Sequence, residues 1–203
     1  MAASDNPVSE AGQPLLLEAE AVRRAIGRLA REIGERNRRT EKLALIGIVR
    51  RGAALAARLA ALLTEKQDRP VELGTLDISS YRDDGRAGGP EERRLLDRDI
   101  RFSLDGATVV LVDDVVHTGR TVRAALDALS DLGRPQAVQL AVLVDRGERE
   151  LPIKPDYVGH NLTVERRRKV QVRLREIDGF DGVAAIETAR STPGRGTPAD
   201  SSR

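Results

Sequence analysis

Apolar positions along the chain switch between two periods. From residue 15 to 37, Val22, Ile26, Leu29, Ala30 and Ile33 recur every three or four residues, which predicts one amphipathic helix over the whole stretch. "LALIGIV" (43–49) is an unbroken apolar run, the pattern of a strand covered on both faces. Gly52 then opens "GAALAARLAALLTE", a second helix, and "VELGTLDIS" (71–79) reads as the next strand. "TVVLV" (108–112), the helix "TVRAALDALSDLG" and the strand "AVQLAVLV" (137–144) form a βαβ unit, and shorter strands are expected near 156–160, 170–175 and 183–187. Strands alternating with helices predict an α/β domain, a mostly parallel sheet with helices on both faces.

Two kinds of segment fall outside that alternation. Residues 1–13 and 189–203 are small, polar and rich in Pro and Gly, so they are expected to be disordered tails around a single domain spanning 14–188. "SYRDDGRAGGPEERRLLDRD" (80–99) is long and charged for a connection between core strands, and is expected to be a functional lid.

The most informative stretch is "VVLVDDVVHTGRT" (109–121), in which a strand ends in two adjacent carboxylates and a Thr-Gly turn leads into a helix. In a parallel α/β sheet, ligands bind in the crevice outside the carboxyl ends of the strands. The first N–H groups of a helix, with a glycine turn and threonine hydroxyls before it, make a phosphate site. Asp113 and Asp114 suit the opposite need, accepting hydrogen bonds from vicinal hydroxyls and helping to hold a hydrated divalent cation. Together these groups describe a site for a phosphorylated sugar. No Gly-Lys-Ser/Thr ending of a P-loop and no G-x-G-x-x-G fingerprint competes with that reading.

Composition removes several alternatives. Among 203 residues there is no Cys, so disulfides, thiolate zinc sites and cysteine nucleophiles are excluded, and two His are too few for a histidine-rich metal centre. Any catalytic metal is expected to be a hard ion such as magnesium, held by oxygen. With two Phe, two Tyr and no Trp, binding of single strands by base stacking is excluded as a general mode. No apolar run approaches the roughly 20 residues of a membrane span. The N-terminus also lacks the basic-then-apolar order of a signal peptide, so a cytoplasmic protein with no membrane partner is expected.

"VVLVDDVVHTGRT" resembles the signature for 5-phosphoribosyl 1-diphosphate (PRPP) in type I phosphoribosyltransferases: hydrophobic residues, two acids, two variable residues, then Thr-Gly-x-Thr. The resemblance implies the fold of that family, a mostly parallel twisted sheet flanked by helices with a small strand-rich hood. It implies that Val109, Val110, Leu111 and Val112 lead to Asp113 and Asp114 on the ribose hydroxyls, while Val115, Val116, His117, Thr118, Gly119, Arg120 and Thr121 form the turn for the 5-phosphate. "GRTVRAALDALSDLGRPQAVQLAVLVDRGERELPIKPDYVG", with "DISSYRDD" and "LALIGIVRRG", is similar to one subfamily over roughly residues 15–188. These are the pyrimidine operon attenuation regulators with uracil phosphoribosyltransferase activity, the PyrR family. The resemblance implies conversion of uracil and PRPP to UMP and diphosphate with Mg2+, no organic cofactor, and a homodimer or higher homo-oligomer.

On that resemblance, Arg50, Arg51 and Gly52 hold the departing diphosphate in a loop where the family often has a non-proline cis peptide. Arg82 in the lid closes over PRPP, and Tyr157, Val158, Gly159 and His160 carry the base. A leader mRNA of pyrimidine genes, bound in response to UMP or UTP, is the implied macromolecular partner. Arg24, Arg28 and Arg31 fall on one face of the first helix, and with Arg149 and Lys154 they are the candidate RNA contacts, since RNA phosphates need such cations. Two other readings stay open: an enzyme alone, using uracil or a purine base, and a nucleotide- and RNA-binding regulator with little turnover. The chain departs from the family pattern at four places. Val49-Arg50-Arg51-Gly52 replaces His/Lys-Thr-Arg-Gly, and Val116-His117 replaces Leu-Tyr. Glu148 replaces His, and "GHNLTVE" (159–165) replaces Gly-Lys-Asn-hydrophobic-Pro-Thr-Ser.

Overall fold

A computed structural model describes residues 15–67, 71–79 and 98–187. The expected tails, and the expected lid with Arg82 up to residue 97, lie outside the described residues. Nine strands and four helices are described: β1 Leu15–Glu18, α1 Ala19–Arg36, β2 Leu43–Ile48, α2 Arg51–Gln67, β3 Glu72–Leu76, β4 Arg98–Asp99, β5 Thr108–Val116, α3 Arg120–Leu132, β6 Ala137–Asp145, β7 Tyr157–Asn161, β8 Arg168–Arg173, α4 Arg175–Asp178 and β9 Gly182–Glu187. One six-stranded sheet has the order β4-β3-β2-β5-β6-β7 and is parallel except for β4, and a second, antiparallel sheet has the order β1-β9-β8. The expected parallel sheet and its hood are both present.

Alternate residues of the central strands feed two separate cores, which is why their sequences read as continuous apolar runs. Leu43 and Leu45 of β2, Val110 and Val112 of β5, and Ala141 and Leu143 of β6 pack on one face with Ile26, Leu29 and Ile33 of α1 and Leu55 and Leu59 of α2. Ala44, Ile46 and Ile48, Val109 and Leu111, and Leu140 and Val142 pack on the other with Val122, Ala125 and Leu129 of α3. Val170, Val172 and Val183 of the hood join the first core, so the hood is anchored by apolar burial on the α1–α2 side. Each such fully buried Leu or Val contributes about 1.5–3 kcal/mol. Leu111→Ala, at the centre of β5, is therefore a change of about 2–5 kcal/mol.

The structure corrects three sequence expectations. Residues 15–18 are not the first turn of α1 but β1, whose Leu15 and Leu17 register with Ala184 and Val183 of β9. Strand pairing overrides the helical spacing there, and Glu18 ends it in an extended conformation (φ −84°, ψ 166°) as the N-cap of α1. β5 runs on to Val116 rather than stopping at 112, because β6 pairs with it through Val116↔Asp145. The two-residue β4 and four-residue α4 were not anticipated, being too short to show a period.

Candidate functional site: a crevice over the acid pair

The extra length of β5 makes the site. Its pairing with β2 ends at Gly47↔Val112, whereas its pairing with β6 continues to Val116↔Asp145. Asp113 to Val116 thus stand past the last pairing with β2, still laddered to β6 on one side. A cavity of about 670 Å3 opens beside them. Two close approaches shape its floor. A Cβ on Gly52 would lie 2.5 Å from the Val112 carbonyl oxygen, and one on Gly47 would lie 2.4 Å from Ala53 Cα. Only glycine at both positions lets the start of α2 sit directly against β5. The Val49–Arg50 peptide in this loop is cis.

Asp113 is 6% exposed and its Oδ1 accepts the Asp114 N–H at 2.9 Å. Across the crevice, Gly119 is the N-cap of α3 at φ +93°, a region open to glycine. No side chain caps α3, and no acid stands in the first turn of α3 or of α2. Both helix starts therefore present their N-terminal partial positive charge toward the crevice, which favours anions. The hood closes the third side, where Lys169, Val170, Gln171 and Val172 of β8 and Ile186 of β9 line the cavity with Asp77, Ser79 and Arg146. Arg146 has a side chain only 8% exposed, with Nη2 3.5 Å from Glu148 Oε2 and a buried Nε that has no hydrogen-bond partner among the described residues.

The hood is tied to α2 by charge. Arg51 donates to Asp178 from Nε at 3.1 Å and Nη2 at 2.6 Å, and Arg58 donates to both Glu176 and Asp181. Burial works to raise the Asp178 carboxyl, but the Arg51 guanidinium and the Leu174 N–H outweigh it and hold the group below its ordinary range. Asp181 is lowered against burial in the same way by Arg58 and the Arg175 N–H, and the Arg58 hydrogen bonds lower Glu176. The bond to Asp178 raises Arg51 above an ordinary guanidinium.

The phosphoribosyl transferase domain family matches residues 15–173. Proteins named bifunctional protein PyrR are similar over most of this chain. That of Roseiflexus sp. is 52% identical over 89% of this chain and 99% of its own, and that of Pelotomaculum thermopropionicum 53% identical over 86% and 96%. The chain belongs to the PyrR family of phosphoribosyltransferases. Solved structures add the fold: hypoxanthine phosphoribosyltransferase of Trypanosoma cruzi superposes with a TM-score of 0.65 at 22% identity, covering 85% of this chain and 95% of that one. The Staphylococcus aureus enzyme gives 0.62 at 18% identity, covering 85% and 92%.

Against this PyrR-family frame, the expected site residues divide into groups. Arg50, Arg51, Asp113 to Gly119 and Thr121 all line the crevice. Gly52 is buried at its floor, while Val109, Val110, Leu111 and Val112 are 0% exposed and support the acid strand from within the two cores. Arg120 turns outward, its Nε donating to Glu150 at 2.8 Å. None of Tyr157, Val158, Gly159 and His160 lines the crevice. The Tyr157 hydroxyl is buried in a hydrogen-bond cluster with Gln139 and Asn37, Val158 packs against the second core, and Gly159 lies against Leu143. His160 instead joins Arg24, Arg28 and Arg31 along a separate groove of about 610 Å3 beside α1. Arg28 donates to the Gly159 carbonyl there. Lys154 is exposed. Arg149, expected on RNA, turns inward and donates to the backbone of His117, Gly147 and Ile153.

Sequence reading did not single out Asp77, Ser79, Arg146 or the β8 residues as site residues. The strand itself was expected, from the alternation Lys169-Val170-Gln171-Val172-Arg173-Leu174, but nothing in it marked those residues as facing the crevice.

Proposed function

We propose that this protein transfers the phosphoribosyl group of PRPP to uracil, giving UMP and diphosphate, and that it binds a pyrimidine-gene leader RNA in response to uridine nucleotides. The observation that carries the reading is the crevice, where an overhanging acid pair, two helix starts with no acid in their first turns and a hood strand face one another. The word bifunctional in the relatives' names supports its two-part form.

In this reading Asp113 and Asp114 accept hydrogen bonds from the ribose hydroxyls, and the 118–121 turn takes the 5-phosphate on backbone N–H groups at the start of α3. Arg50 and the start of α2 face the diphosphate. Among the described residues no cluster of three or more acids or histidines forms a metal cage. Asp113 and Asp114 would help to hold a magnesium ion carried by PRPP and water, and the ion would supply charge neutralisation on the diphosphate. As the bond from the ribose anomeric carbon to diphosphate oxygen breaks, diphosphate leaves with the electron pair. The uracil ring nitrogen then bonds to that carbon and releases its proton. No protein nucleophile takes part, so the residues act by positioning and by stabilising charge.

We place the base against β8 rather than against residues 157–160. β8 is the outer strand of the hood sheet, so its outer backbone groups face no strand partner and are available to a planar amide-like ring. The buried Arg146 guanidinium can donate to a ring carbonyl. The RNA surface is assigned to the groove of Arg24, Arg28, Arg31 and His160. Product formation from PRPP with uracil, hypoxanthine or guanine tests the enzymatic half, and turnover with a purine but not uracil would reject it. Filter binding of the leader against a scrambled RNA, with and without UMP, tests the other half; equal affinities would reject it.

A further inference from the structure

Arg149 occupies an unusual position for a cation in a loop. Its side chain is 20% exposed and is bonded on four sides: Nε donates to Ile153 O at 2.9 Å, Nη1 to His117 O at 2.8 Å and to Gly147 O at 3.1 Å, and Nη2 to Asp145 Oδ2 at 2.7 Å. These use four of the five donors that a guanidinium has. The acceptors come from the end of β6, from the loop itself and from the turn between β5 and α3. The loop reverses through Gly147 (φ 78°) and Glu148 (φ 51°), both left-handed, which is what turns residue 149 inward.

The next residues of the loop continue the contact. Glu150 N–H and Leu151 N–H both donate to Thr118 O, at 3.0 and 3.2 Å, and Leu151 and Ile153 cover the side of Gly119 where a Cβ would project. In a trans peptide the C=O and the N–H point in opposite directions. Holding His117 O outward on Arg149 therefore aims Thr118 N–H the other way. Holding Thr118 O on residues 150 and 151 does the same for Gly119 N–H. Thr118 and Gly119 line the crevice, so two successive amides are set toward it before any ligand arrives, and successive N–H groups of this kind form an anion nest.

We propose that Arg149 is a positioning residue for the phosphate turn: by fixing the His117–Thr118 peptide it orients the amides that receive the 5-phosphate. This rests on reading that turn as the phosphate subsite. It moves Arg149 from RNA contact to ligand binding, and makes the 147–153 loop the rigid back of the nest. Preorganised donors bind without a reorganisation cost, so the effect of losing Arg149 falls on the phosphate and not on the rest of the nucleotide.

The test compares UMP with uridine, which lacks the phosphate, in calorimetry on wild type, Arg149→Met and Arg149→Lys. The ratio of the uridine Kd to the UMP Kd should fall at least tenfold in both variants, while the uridine Kd stays within twofold. Lysine is expected to fail like methionine, because an ammonium cannot span the four acceptors. An unchanged ratio in either folded variant overturns the proposal. A titration of wild-type protein with UMP, following amide NMR shifts, separates the two layers and needs no variant to fold. Thr118 and Gly119 amides should move most, and uridine should leave them still. If UMP leaves them unmoved, the phosphate reading of the turn falls and the proposal with it. If they move but the ratio is indifferent to Arg149, only the positioning role is lost.

Discussion

Replacing Gly52 by alanine perturbs the site through one methyl group. The new Cβ would sit 2.5 Å from Val112 O and 3.2 Å from Asp113 Cα, both backbone atoms of the acid strand. A carbon–oxygen contact settles near 3.3 Å, so the start of α2 must retreat from β5 by roughly 0.8 Å. It cannot slip sideways toward β2, because Gly47 already meets Ala53 there. Retreat loosens Leu55 and Leu59 against the core, an overpacking cost of about 1–3 kcal/mol. In a chain of this size each kcal/mol lowers Tm by about 2–4 °C. On the proposed reading the same movement shifts Arg50 and the α2 start away from the leaving group, and a misplacement near 1 Å can cost about 100-fold in rate. Steady-state turnover with PRPP and uracil, beside a thermal melt, reads both effects. PRPP affinity should fall more than UMP affinity, since only PRPP carries the diphosphate. A Gly52→Ala protein with unchanged Tm and unchanged PRPP affinity would refute the claim that contact between α2 and β5 builds the diphosphate corner.

Four further outcomes can be checked. Asp113→Asn with Asp114→Asn should weaken PRPP binding in the presence of magnesium at least tenfold, about 1.4 kcal/mol, in a protein that still melts cooperatively; calorimetry on the folded variant checks it. Replacing Arg24, Arg28 and Arg31 with Ala should weaken leader RNA and flatten the dependence of its Kd on salt in filter binding, because fewer counterions are released. In wild type, UMP and that RNA should tighten each other by the same factor. The carboxyls of Glu176, Asp178 and Asp181 lie below their unfolded values, so their contribution is complete above the unfolded pKa near 4 and is lost as pH falls through the folded values. Hood attachment should therefore weaken in acid, and Arg58→Met should lower Tm at pH 7 while reducing the further loss on going to pH 3.5.

Legibility followed the range of the interactions. β2, β5 and β6 were readable because burial on both faces leaves an apolar run that needs no knowledge of neighbours. β1 was not, because Leu15 also falls on the apolar stripe of α1, and pairing with β9, more than 160 positions later in the chain, is what makes it a strand. The acid pair was readable for a similar reason: strand, acids, turn and helix are contiguous, so the geometry of a single βα unit holds the whole argument. The hood side of the crevice was not. Residues 157–161 form an edge strand of the main sheet whose Tyr157 is consumed by a core hydrogen-bond cluster, and the hood face over the crevice comes from β8. Which strand of a hood leans over a crevice depends on how two sheets meet, and period-2 alternation does not encode that.

Two of the departures from the family pattern explain each other. His117 stands where relatives usually carry Tyr, and Glu148 where they usually carry His, and in this structure His117 Nε2 lies 3.1 Å from Glu148 Oε2. A carboxylate only accepts, so the imidazole nitrogen carries the hydrogen. Read as a pair, they make a hydrogen bond between the proposed phosphate turn and the loop behind it, at the place where Arg149 binds the same residue's carbonyl. Glu148 also balances Arg146 and Arg166, at 3.5 and 3.8 Å, so its charge is directed at neighbouring cations rather than at a phosphate backbone. The His117–Glu148 pair thus joins Arg149 in tying the 147–153 loop to the turn between β5 and α3.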